Sequence, residues 1–107
     1  MKKLFISQPM KDKTKEEIKA ERREAVQKAI ELLGENVEVI DSLFIGTSVP
    51  QDVVKPLWFL GNSLQLLSTA DVVYFADGWD KYRGCKIEHT CAVEYGITII
   101  NSIQQQN

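Results

Sequence analysis

Asp71-Val72-Val73-Tyr74-Phe75-Ala76 is the stretch that decides the fold. After its opening aspartate the run is continuously apolar, with no polar residue at every second position. A strand with one wet face alternates; a strand covered on both faces does not, and that is the signature of a parallel sheet between two helical layers. Upstream, from Leu57 to about Thr69, Leu57, Leu60, Leu64 and Leu67 form one stripe at helical spacing. Downstream, a polar, aromatic loop from Asp77 to Tyr82 leads into Arg83-Gly84-Cys85-Lys86-Ile87-Glu88-His89-Thr90-Cys91-Ala92-Val93-Glu94-Tyr95-Gly96. That segment reads as a helix opened by a glycine turn and stopped by Gly96.

The pattern repeats towards both ends. Lys3 to Ser7 is a compact apolar strand, broken by Ser7-Gln8-Pro9-Met10 because proline lacks a donor and restrains the residue before it. Thr14 and Glu17 have capping-box spacing, and Ile18, Ala25, Val26, Ala29, Ile30 and Leu33 follow on one helical face until Gly34. Arg22 shares that face, so its stem is expected to pack and its head to reach outward. Val37 to Asp41 is the second strand. Asp41 to Gln51 is a loop punctuated by Gly46 and Pro50, with Ser48 to Gln51 able to cap a short helical turn before Pro56. Ile97 to Ile100 is the last strand.

Strands and helices in regular alternation predict one α/β domain over residues 1–107, with a four-stranded parallel sheet covered on both faces. Right-handed crossovers leave the order 2-1-3-4, a flavodoxin-like three-layer arrangement, as the favoured topology. Its topological switch falls between the first and third strands, where ligands bind beyond the carboxyl ends. The loops at that point are Ser7–Lys13 and Asp77–Gly84, the two richest in polar and special residues.

Composition narrows the function classes. The net charge of −2 over 107 residues argues against an electrostatic partner for a nucleic-acid polymer. The densest charged run, Lys11 to Glu24, mixes signs as a solvated helix face does. No apolar run has membrane-spanning length and no signal-peptide pattern follows Met1-Lys2-Lys3, so no membrane partner is expected. Two cysteines six residues apart on one predicted helix make no disulfide framework, and a reducing, cytoplasmic setting is the expectation. Gln104 to Asn107 is the only low-complexity stretch and is expected to fray.

Glu88 is the candidate with chemistry. It falls in the first turn or so of its predicted helix, where free N–H groups and the helix dipole favour an anion. A carboxylate held ionised there can act as a nucleophile, or can simply complement the dipole. Cys85, His89 and Cys91 suggest a metal, but only Cys85 and His89 share a face, so no metal site is expected. Cys85 near a helix start can be an activated thiol or a packing residue. Glu94, two turns beyond the glycine, reads as solvated.

Three motifs together resemble the nucleoside 2-deoxyribosyltransferase family, which includes the deoxynucleoside 5′-monophosphate N-glycosidases. They are Phe5-Ile6-Ser7-Gln8-Pro9-Met10, Ala70-Asp71-Val72-Val73-Tyr74-Phe75, and Gly84-Cys85-Lys86-Ile87-Glu88 with Ala92 and Gly96 following. The last is the most specific, and the element order matches over nearly the whole chain. The resemblance implies that Glu88 attacks the anomeric carbon of a nucleoside or nucleotide, without a cofactor, and that Ser7, Gln8, Pro9 and Met10 contact the sugar or its substituent. The family usually has an aspartate eight residues ahead of the third strand's opening aspartate; here that position is Ser63, beside Asn62. Serine can hydrogen-bond but cannot act as a charged acid or base, leaving Asp77 or Asp80 for that role. Trp79 and Tyr82 offer stacking surface for a base, or for an interface. Arg83 and the Gly84 helix start offer a 5′-phosphate site, or Arg83 is a surface charge. Relatives in the family tend to associate. The aromatic Leu57-Trp58-Phe59-Leu60 cluster, with Trp58 and Phe59 partly forced outward, leads to the same expectation of a homo-oligomer, a dimer first.

Overall fold

The computed structural model describes residues 1–43 and 48–101. The expectations for Gly46 and for Gln104 to Asn107 lie outside the described residues. Along the chain run β1 (Lys2–Ser7), α1 (Lys15–Leu33), β2 (Val37–Val39), α2 (Lys55–Leu67), β3 (Val72–Phe75), a 3₁₀ turn (Trp79–Lys81), α3 (Arg83–Glu94) and β4 (Thr98–Asn101). The four strands are all parallel and ordered β2-β1-β3-β4, the flavodoxin-like order.

Local chemistry fixes the element ends. Thr14 Oγ1 accepts from the Glu17 N–H at 3.1 Å while Glu17 Oε1 accepts from the Thr14 N–H at 2.9 Å, so a complete capping box opens α1. Gly34, at φ 71°, closes it with its N–H on the Ile30 carbonyl. Asp71 fastens β3 onto β1 twice: its Oδ2 accepts from the Lys3 N–H at 2.7 Å, and its own N–H reaches the Lys3 carbonyl at 2.9 Å.

Side-chain alternation along β1 and β3 divides the core into two layers. Leu4, Ile6, Val72 and Tyr74 pack with Ala25 and Ala29 of α1 on one face. Phe5, Val73 and Phe75 pack with Leu67 of α2 and Ala92 of α3 on the other. The two buried alanines let α1 approach the sheet closely, and adding bulk there would force off-rotamer packing.

Two expectations change here. No helical turn forms from Ser48 to Gln51; Gln51 and Asp52 make a turn and α2 begins at Lys55, with Pro56 in its first turn, where the missing N–H has no helical partner to lose. The leucine stripe of α2 is also graded rather than uniformly buried. Leu67 is 2% exposed, Leu64 and Leu60 are half-buried, and Leu57 is 62% exposed. Trp58 and Phe59, expected to be partly forced outward, are half-buried and meet edge to face with centroids 5.1 Å apart. The exposed apolar side chains at this end are Val53, Val54 and Leu57.

Candidate functional site

Ser7 ends β1 on the α2/α3 face, and Glu88 on α3 lies over it. The Ser7 hydroxyl donates to Glu88 Oε1 at 2.6 Å, with Ser7 2% and Glu88 7% exposed. Two residues 81 apart in the chain thus meet at the carboxyl end of β1, next to β3, where the strand order reverses.

The electrostatics of Glu88 differ from expectation. α3 begins at Arg83, with Tyr82 as its cap, so Glu88 is the sixth helical residue rather than a first-turn one. It lies past the free N–H groups that would hold it anionic. Burial dominates instead and raises the Glu88 pKa above its ordinary value, while the Ser7 hydrogen bond pulls the other way. Cys85, one turn earlier, is also buried. Burial pushes its thiol up, the Ser7 hydroxyl lowers it, and the Glu88 charge raises it again. Of the two readings of Cys85, burial favours the packing residue over the activated thiol, since desolvation outweighs the helix start.

Gln8 turns the opposite way, as alternation past Ser7 dictates. Buried against α1, its Nε2 donates to Glu21 Oε1 at 3.0 Å and its Oε1 accepts from Arg22 Nη1 at 2.8 Å. Lys13 Nζ closes the chain on Glu21 Oε2 at 2.6 Å. The Arg22 head does not simply reach outward; it is recruited by Gln8. Pro9 is buried, whereas Met10 is exposed.

Beside Glu88 stands an aromatic stack. The indole of Trp79 and the imidazole of His89 are parallel within 12° at 4.0 Å, and Phe75 meets His89 edge-on at 4.8 Å. One face of Trp79 is thus already occupied by His89. Burial lowers the His89 pKa, which favours the neutral ring. Tyr82 is half-buried, and Asp77 and Asp80 are exposed. Ser63 is half-buried on α2, and its hydroxyl makes no hydrogen bond among the described residues. The neighbouring Asn62 amide donates to the Trp58 carbonyl at 2.8 Å. Arg83 and Gly84 line a cleft of about 350 Å³ with Val54, Pro56, Leu57, Leu60 and Ile87.

Sequence reasoning did not single out Asn101. The sheet register sets Ser7, Phe75 and Asn101 side by side on one face, and Asn101 Oδ1 is buried without a hydrogen-bond partner among the described residues. An amide at a strand's carboxyl end was the available signal. Nor was the link from Gln8 to Glu21 and Arg22 foreseen, although Arg22 on an apolar helix face hinted at it. Chemically, the site presents one buried carboxyl with a single neutral donor on Oε1, beside an aromatic wall. Compared with known proteins, the chain matches no family model, no curated protein and no solved structure.

Proposed function

We propose that this chain is a nucleoside 2-deoxyribosyltransferase-like enzyme that cleaves or exchanges the N-glycosidic bond of a deoxynucleoside or its 5′-monophosphate. The observation that carries the reading is the buried Ser7–Glu88 hydrogen bond at the switch point of the sheet. Ser7 occupies Oε1 and leaves Oε2 to attack C1′. The C1′–N bond breaks through an oxocarbenium-like transition state, the base departs with the electron pair and takes up a proton, and a glycosyl ester forms on Glu88. A second base, or water, then attacks C1′ and gives its proton to the carboxylate left ionised in the first step, the ester C–O bond breaks, and the Glu88 carboxylate is restored with net retention. Asp77 and Asp80, exposed in the loop after β3, are the carboxyls available to supply the proton.

A second reading is a non-catalytic nucleotide-binding or sensing module on the same scaffold. Ser63, where the resembled family has an aspartate, favours it. Incubating the protein with deoxynucleosides and their monophosphates, with and without an acceptor base, separates the two. Released or exchanged base supports the enzyme, and a 2-fluoro-arabinosyl nucleoside should then leave its sugar on Glu88 in peptide mapping. Nucleotide-induced thermal stabilisation without turnover supports the binder.

The chain is further proposed to work as a cytoplasmic homo-oligomer, joined through the exposed apolar end of α2 and the neighbouring Ile87 of α3. Val54, Leu57 and Ile87 line one cleft there and are all exposed.

A further inference from the structure

A second cleft, of about 520 Å³, opens beside α1, the helix on the face of the sheet away from Glu88. Lys19, Arg22, Arg23, Val26 and Gln27 line it from successive turns of α1, and Val39 closes it from the end of β2. All its charged residues are cations, in a chain whose net charge is −2. None of the three forms an ion pair among the described residues.

Arg22 is the informative member. It is half-buried and spends one N–H on Gln8 Oε1, leaving donors of its planar fork for another acceptor. Burial disfavours its charge, and only Asp41 offsets this, from beyond ion-pair distance. A partly dehydrated guanidinium without a paired carboxylate is costly to hold in place. A bidentate oxyanion is the ligand that its geometry matches. Val26 and Val39 add an apolar patch to this shallow, open groove. Three cations would also neutralise too few phosphates to hold a nucleic acid at physiological salt.

We propose that this cleft binds a small phosphomonoester dianion, its phosphate on Arg22 with Lys19 and Arg23, and its apolar or planar body on Val26 and Val39. The site is separate from Glu88 and does not depend on the chemistry proposed there.

The test is amide chemical-shift titration of the ¹⁵N-labelled full chain with phenyl phosphate, inorganic phosphate and benzoate. Phenyl phosphate should saturably shift the amides of Arg22, Val26, Gln27 and Val39, with a Kd of about 1 mM or tighter. Inorganic phosphate should shift the same amides more weakly, and benzoate, with a single charge to set against three cations, more weakly still. The double variant Lys19→Ala, Arg23→Ala, at two exposed positions, should weaken phenyl phosphate at least about tenfold. Four outcomes overturn the proposal: no saturable shift, benzoate binding as well as phenyl phosphate, an unchanged Kd in the double variant, or shifts centred on residues 83–88.

Discussion

The Ser7 hydroxyl and the Glu88 carboxyl share a 2.6 Å hydrogen bond in a setting that opposes charge on the carboxyl. That bond is the main counterweight to desolvation, because a donor to the anion favours the ionised form. A nucleophilic Glu88 must be ionised, so Ser7 controls how much of it is competent at a given pH.

The pH dependence of turnover follows. The acidic limb of the kcat profile should have its midpoint above the ordinary glutamate value of 4.5. Ser7→Ala should move that limb further up and lower the rate about tenfold to a hundredfold at acidic pH, since hydrogen bonds to charged groups are worth about 1.5–3 kcal/mol. At alkaline pH the loss should shrink. An acidic limb in the same place for both proteins removes Ser7 from this role.

Stability should move in the opposite direction. A carboxyl with a raised folded pKa contributes fully below the unfolded value, and that contribution is lost as pH rises through the folded pKa. Above pH 4.5 the unfolded chain ionises at this position more readily than the folded one, so the parent loses stability as pH rises. Glu88→Gln removes the titration. Its Tm relative to the parent should climb between pH 4 and pH 8 even as activity disappears. A difference in Tm that is flat across that range would contradict the buried-carboxyl account.

How much of this was legible in the sequence depends on range. The apolar run of β3 and the regular alternation of elements carry the parallel sheet and its order, because both are local patterns with one packing solution. The placement of Glu88 on a helix after the β3 loop was legible from its turn-helix context. The electrostatics of Glu88 were not, because burial by Ser7 and its neighbours is a tertiary fact. Leu57 departs from the stripe reading for a related reason: it shares the face of Leu60, Leu64 and Leu67 yet is 62% exposed. Helical spacing says which residues share a face, but not how far along the helix the sheet extends beneath it. Strand alternation carried past Ser7 would have sent Gln8 towards α1.

The aromatic stack offers an optical check. Trp79 lies 4.0 Å from His89, close enough for a protonated imidazole to quench the indole. In a Trp58→Phe background, emission should fall on acidification with a midpoint below 6.5, since burial lowers the His89 pKa. His89→Leu should abolish the transition. A midpoint at or above 6.5, or one that survives the substitution, would place the quencher elsewhere.

The oligomer makes the last claim. Leu57 is 62% exposed on α2 and lines the same cleft as Val54 and Ile87 of α3. Exposed apolar side chains from two elements form a self-complementary patch when a two-fold axis passes near them. Trp58 is the poorer probe, because it is half-buried against Phe59 and a glutamate there would disturb that contact within the chain. Leu57→Glu puts a charge into the proposed interface and removes little buried surface within the chain. Light scattering at micromolar concentration should give at least twice 12.2 kDa for the parent and 12.2 kDa for Leu57→Glu, with the Tm of a diluted parent matching that of the variant. A parent that is already a 12.2 kDa monomer at that concentration would leave this face of α2 without the partner assigned to it.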